Sequence, residues 1–379
     1  MIYLDNAATS RFKPRRMFDE MFNQLACSSN PGRGGHNDAI DTAIKIYDVR
    51  ELLKTLVGGD DNYEVIFTSG CTEAANLAIL GYLAAYKGQR AEVIFTSYEH
   101  NSVARPLWHL KETSDVKLIE IKPDKDGRIS SVDINNAINE NTRLVCVNHM
   151  SNVTGYLADL EEIGKIAARR NVPLFVDGAQ SLGHLSINVK ALNIAFLAAA
   201  GHKGLHGSQG TGFLVYDKRY KLLPIRFGGT GSHSESLIQP DLPPDAFEAG
   251  TLNSAGIIGL GASADWTYEN LSKISLNSRY LTSELIYGLK QIKNVRLYSS
   301  QNNGVVSFNF ADYSSTDIGD YLNENDIAVR CGLHCAPLIH RQLGTLDSGT
   351  VRASIGYNNT ISDIRALLNA IDKLNYRKP

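Results

Sequence analysis

The chain has 379 residues, with 38 Lys and Arg against 40 Asp and Glu, so its formal net charge is -2. That balance excludes a dedicated nucleic-acid binder, which carries a strong basic excess. With 43% hydrophobic and 21% charged residues the chain reads as globular, and its length suggests two or three domains. No apolar run approaches the ~18 residues of a membrane span. The start, MIYLDNAATS, shows neither the basic nor the apolar part of a secretory leader. Five cysteines are too few for a disulfide scaffold, so a reducing cytoplasm is the expected compartment.

In chain order, Ile40, Ala43, Ile44, Tyr47, Leu52, Leu53 and Leu56 recur at helical spacing. A β-rich run at 65–68 follows, then a second helical stretch. Further strands are expected over 93–97, 116–121, 144–149, 174–177, 194–200 and 213–216. Helical segments fall between most of them, one over 160–170. Alternating strands and helices imply a mostly parallel sheet with helices on both faces, and ligands bind such sheets at the carboxyl ends of the strands. After 216 the texture changes. Residues 224–244 are rich in Gly, Pro and Ser and read as irregular. A helical pattern covers 256–293, strands are expected over 295–298, 305–310 and 327–330, and a helix closes the chain over 362–374.

The motifs cluster at the expected strand ends. Thr68-Ser69-Gly70-Cys71-Thr72-Glu73 opens a helix after a strand, and its free N–H groups suit a phosphate. Taken alone it reads first as an ordinary helix cap. Asp177 ends the run Leu174-Phe175-Val176, where it either serves a site or caps the next element. Gly201-His202-Lys203 follows the apolar run 194–200; taken alone Lys203 reads first as a surface-loop lysine, while a desolvated lysine there is suited to Schiff-base chemistry. His100 follows another strand end, with a flat ring that can stack on a cofactor. Gly207-Ser208-Gln209-Gly210-Thr211-Gly212 reads as a turn before a strand. A lysine, a carboxylate for a pyridine nitrogen and a phosphate cradle are together the parts of a pyridoxal phosphate site.

Near the C-terminus, Cys331-Gly332-Leu333-His334-Cys335 offers two thiols and an imidazole. Zinc needs four ligands, and no second cysteine pair exists, so no metal is expected. A structural loop and a nucleophilic thiol beside a histidine both remain open. Arg352, inside a β-rich run, is either an ion-pair partner or a fork for a substrate carboxylate.

These residues resemble the class V aminotransferase group of fold-type-I pyridoxal phosphate enzymes, and within it the cysteine desulfurases on the Suf-type side. The resemblance rests on Asp177-Gly178-Ala179-Gln180, Gly201-His202-Lys203 and Arg330-Cys331-Gly332-Leu333-His334-Cys335-Ala336, and extends from Tyr3 to Arg352. It implies an α/β fold with a large cofactor-binding domain over 13–255. That domain holds a mostly parallel sheet flanked by helices. A smaller C-terminal α+β domain over 256–379 would follow, with segment 1–12 packed near the active site. It implies a homodimer that binds pyridoxal 5'-phosphate and converts L-cysteine to L-alanine.

In that resemblance Lys203 carries the Schiff base, Asp177 pairs with the pyridine nitrogen and Gln180 donates to the ring hydroxyl. His100 stacks on the ring, and Cys71, Thr72 and His202 hold the phosphate. Thr251 reaches the partner's cofactor, and Asn152 lies near cofactor and substrate. Arg352 takes the substrate carboxylate, His36 falls in the region of an active-site histidine, and Cys335 is the nucleophile that becomes a persulfide. An acceptor protein or thiol then takes the sulfur, with no role for nucleic acid or membrane. Ala200, Cys331 and Leu333 depart from the family pattern, where Ser, Thr and His are usual. A selenocysteine lyase, another β-lyase, an aminotransferase and a non-catalytic scaffold of the same fold are the rival readings.

Overall fold

The computed structural model describes residues 1–31, 34–232 and 234–376. Its largest sheet has seven strands. Tyr63–Thr68 forms one edge and pairs with Gly212–Asp217. Next come Ile194–Ala200, Leu174–Asp177, Thr142–Asn148, Ala91–Thr96 and the far edge Val116–Ile121. Gly212–Asp217 is antiparallel to both neighbours, and the other pairings are parallel.

The central strands are apolar on both faces, as burial on both sides requires. Their side chains alternate between two cores. Val145 and Val147 enter one, with Val176 and Leu197. Leu144 and Cys146 enter the other, with Phe175 and Phe196. Phe95, Phe175, Phe196 and Phe213 are fully buried, each worth about 1.5–3 kcal/mol relative to exposure. Helix Ser254–Glu269 adds Ile257, Leu260 and Ala264 to the first core.

A second, antiparallel sheet lies in the order Arg330–Gly332, Thr350–Ser354, Val305–Phe310, Val295–Leu297. Helices Leu271–Gln291 and Ile361–Lys373 share its core, joined by Leu4 from the N-terminus. The latter helix starts at a reciprocal cap between Thr360 and Asp363. Ile2–Tyr3 pairs in parallel with Ile327–Ala328, which draws the first residues across to this sheet.

Three expectations are corrected. The helical stretch 256–293 breaks at Asn270, which ends one helix and starts the next. Residues 327–330 form two short strands in different sheets, because their neighbours are Ile2–Tyr3 on one side and Thr350–Ser354 on the other. The helix over Asn37–Leu56 buries Ala39, Thr42, Ile46, Val49 and Leu53, while Ile40, Ile44 and Tyr47 face outward. The apolar spacing had merged two faces of that helix.

Candidate active site

The carboxyl ends of the parallel strands open into one cavity of about 340 Å³. Strand pairing sets Asn148 beside Asp177, and Asp177 beside Ala198. Ten of the residues expected in the site line this cavity: Cys71, Thr72, His100, Asn152, Asp177, Gln180, His202, Lys203, Cys335 and Arg352. Two do not. His36 is exposed at the start of helix Asn37–Leu56. Thr251 is exposed in the wall of a separate cavity beside Arg50 and Glu248.

One wall is the start of helix Cys71–Leu83, which has no side-chain cap, so its first N–H groups face the cavity. The turn before it is held from outside: the Glu73 carboxylate accepts from the Ser69 N–H at 2.7 Å and pairs with Arg226 at 2.7 Å. The glycine-rich turn serves this wall. A Cβ on Gly212 would come within 2.5 Å of the Gly70 Cα, so only glycine allows the strand and the helix start to lie so close. Ala200 also lines the cavity, where it offers no hydroxyl.

Asp177 is held by three donors. The Ala179 N–H reaches Oδ1 at 2.9 Å, the Cys71 thiol reaches the same oxygen at 3.5 Å, and the Ser102 hydroxyl reaches Oδ2 at 3.4 Å. Cys71 therefore contributes its backbone to the helix start and its side chain to the carboxylate. Burial lowers the Lys203 pKa, and the nearby Asp177 charge opposes that shift. Burial, then the Lys203 charge, pushes His100 down to about 4, so its ring is neutral at pH 7. His100 Nδ1 accepts the Ser102 N–H at 3.0 Å and caps helix Asn101–Thr113, which fixes the ring at the cavity edge.

The opposite wall comes from the second sheet. Arg352 is 1% exposed. It donates to the Asp5 carboxylate at 2.8 Å and to the Asn152 carbonyl at 3.0 Å. The Asn152 side chain donates to the His334 carbonyl at 2.6 Å, so Asn152 ties the arginine to the cysteine loop. In that loop His334 and Cys335 both have positive φ, 49° and 57°, a left-handed conformation costing about 1–2 kcal/mol per residue. The turn leaves the Cys335 side chain exposed, and its carbonyl accepts the Asn101 N–H at 2.8 Å. The His334 ring turns inward to Thr350, and burial lowers its pKa to about 2. Cys331 is half-buried against Gly319, and burial raises its thiol to about 11.

Sequence reasoning assigned no part to four residues at the site. Ser102 and Asn148 stand beside Asp177, Arg330 pairs across the strand from Arg352, and Asp5 is the ion-pair partner of Arg352. Arg330 lies five residues before Cys335 in a quoted motif, and Ser102 two after His100. For Asp5, nothing in the sequence signals its contact.

The donor set fits pyridoxal phosphate. His202 Nδ1, Asn152 Oδ1, Asn148 Oδ1 and Arg352 Nε are buried without a partner and belong to residues around the cavity. Buried polar atoms normally have one. Together with the uncapped helix start, they are suited to a polar, anionic guest with an ionisable ring.

The class V aminotransferase family pattern matches residues 2–367. A probable cysteine desulfurase of Methanothermobacter thermautotrophicus is 34% identical, over 98% of this chain and 94% of its own length. A probable cysteine desulfurase of Halalkalibacterium halodurans is 33% identical over 98% and 93%. Among solved structures, the apo cysteine desulfurase of Thermococcus onnurineus NA1 superposes with a TM-score of 0.91 at 32% identity, covering 98% of this chain and 94% of that one. The Escherichia coli cysteine desulfurase CsdA gives 0.88 at 28% identity, covering 99% and 94%. With nearly the whole length matched by the family pattern and by relatives above 30% identity, the chain belongs to the class V aminotransferase family, among its cysteine desulfurases.

Proposed function

We propose that this chain is a pyridoxal phosphate-dependent cysteine desulfurase that converts L-cysteine to L-alanine and leaves the sulfur on Cys335. The observation that carries the reading is one cavity with a half-buried lysine and a buried carboxylate within and an exposed cysteine at its rim. The N–H groups at the start of helix Cys71–Leu83, with Thr72 and His202, hold the phosphate. Lys203 anchors the cofactor, Asp177 faces the ring nitrogen, Gln180 faces the ring hydroxyl and His100 lies against the ring. When bound, the cofactor supplies a sink for the electron pair released at the substrate Cα.

This chain's residues do the rest. Arg352 and Asn152 take the substrate carboxylate and turn the Cα–H bond toward Lys203. Burial favours the neutral amine of Lys203, which can then accept the Cα proton. The Cys335 thiolate attacks the substrate sulfur, the S–Cβ bond breaks, and Cys335 is left with one added sulfur. Returning protons to the carbon skeleton gives alanine. Neutral His100 adds no positive charge to compete with the lysine.

The same reading includes a homodimer. Thr251 is exposed and stands apart from its own chain's Lys203 cavity, and a second copy brings it to the phosphate. Phe18, Phe22 and Leu25 on helix Arg15–Ala26, with Ile40, Ile44 and Tyr47, leave an uncovered apolar face for that copy. It also includes the division into domains over 13–255 and 256–379, with helix Ser254–Glu269 packed on the large sheet, and a cytoplasmic location in keeping with five unpaired cysteines. The test is purified protein incubated with L-cysteine, with alanine and sulfide measured with and without a thiol reductant. Alanine with a reductant-dependent release of sulfide supports the reading, and no alanine overturns it.

A further inference from the structure

Cys335 borders two cavities. One holds Lys203 and Asp177. The other, of about 430 Å³, runs outward from the cysteine between helices Cys71–Leu83 and Asn101–Thr113. Its walls are regular. Thr72, Asn76 and Leu80 line one side at four-residue spacing, and Asn101, Arg105 and His109 line the other at the same spacing. Two helical turns on each wall make the groove about 12 Å long, the span of about four extended residues. The Asn101 N–H bonded to the Cys335 carbonyl fixes the cysteine at the groove's inner end. Arg105 and His109 are exposed, and no carboxylate lines the groove.

We propose that this groove receives an extended acidic segment of a sulfur-acceptor protein, its cysteine thiol at Cys335 and its carboxylates along Arg105 and His109. The inference rests on the reading that Cys335 carries the sulfur. The substrate occupies the inner cavity, so a second thiol can approach the sulfur from the outer one without displacing it. In the transfer, the acceptor thiolate bonds to the outer sulfur while the bond from that sulfur to Cys335 Sγ breaks. The electron pair leaves on Sγ, which takes up the proton the acceptor thiol released. No oxidant or reductant is consumed. Among the described residues the groove is lined by the Arg105 cation and by no carboxylate, so an acidic segment gains Coulomb attraction and a basic one meets repulsion.

The test loads the protein with sulfur by brief L-cysteine treatment, removes the excess, and adds one of two pentapeptides. One is a cysteine followed by four glutamates, the other a cysteine followed by four lysines. Intact mass follows loss of the added sulfur from Cys335. At low salt the acidic peptide should take it at least about tenfold faster, and 0.5 M salt should erase most of that difference by screening. Arg105→Glu with His109→Glu should reverse the preference while leaving first-turnover alanine unchanged, because neither residue lines the Lys203 cavity. Equal rates for the two peptides in the unaltered protein, or an unchanged preference in the variant, overturn the proposal. Should Cys335 never acquire sulfur, the functional reading fails first. The groove is then judged by anisotropy with a fluorescent serine-for-cysteine copy of the acidic peptide. Binding lost in the double variant supports the groove, and no binding or equal binding overturns it.

Discussion

Sulfur should land on Cys335 and not on Cys331, four residues away, and the reason is quantitative. Burial raises the Cys331 thiol to about 11. At pH 7.5 about one Cys331 in three thousand is then ionised, against about one in ten for an unperturbed thiol. The more basic thiolate is intrinsically more nucleophilic and regains about tenfold. Cys331 is left roughly thirtyfold slower than such a reference thiol on ionisation alone, before its contact with Gly319 and its absence from the cavity are counted. Cys335→Ser should keep bound cofactor and lose alanine formation, since a hydroxyl is far less ionised than a thiol at neutral pH. Cys331→Ser should keep most of the activity. Peptide mapping after brief cysteine treatment should place a ~32 Da increment, one added sulfur, on the Cys335 peptide. An increment on Cys331, or wild-type alanine formation by Cys335→Ser, refutes the argument.

On the proposed function, Asp177→Ala removes the charge assigned to the ring nitrogen and should slow alanine formation by ~10²–10³; steady-state rates within tenfold of wild type would mean that another group does that work. Acid should destabilise the apo protein. Burial holds His149 near 4 and His206 near 3, below the ~6.5 of the unfolded chain, so unfolding takes up protons as pH falls from about 6.5 to 4. Each histidine then costs about 2 kcal/mol of stability between pH 7 and pH 5, and urea midpoints that stay constant over that range contradict the assignment. Sedimentation should show a dimer, and Phe22→Glu with Ile44→Glu should yield a monomer with impaired turnover; a fully active wild-type monomer excludes the partner role of Thr251.

The sheet was legible where strands are buried on both faces. The runs 116–121, 174–177, 194–200 and 305–310 have the observed bounds; of these, 194–200 is apolar throughout and 174–177 is apolar up to Asp177, so both need little tertiary context. The division of 327–330 into two strands was not legible, because Ile327–Ala328 and Arg330–Gly332 are defined by distant partners. Helix Arg15–Ala26 was missed, although Met17, Phe18, Met21, Phe22 and Leu25 recur at helical spacing; most of that stripe is left exposed, with only Met17 and Gln24 buried. In the site, residues at strand ends could be placed by order alone, which located Asp177, His100 and Lys203. Side-chain direction could not. The turn of the Cys71 thiol toward Asp177 and the grip of Asp5 on Arg352 depend on backbones that meet only in three dimensions.

The ion pair between Asp5 and Arg352 also sets a schedule for synthesis. A ribosome delivers the chain from its first residue, so the seven-stranded sheet, with Lys203 and Asp177, can be complete once Asp217 has emerged. The cavity then still lacks Cys335 and Arg352, and the earliest residues wait for strand partners at 327–328 and 354. A nascent chain halted between these points would present Lys203 in a half-open trough, with Asp5 still without Arg352. Closure of the cavity around Lys203 and Asp177 is thereby deferred until almost the whole polypeptide has left the exit tunnel.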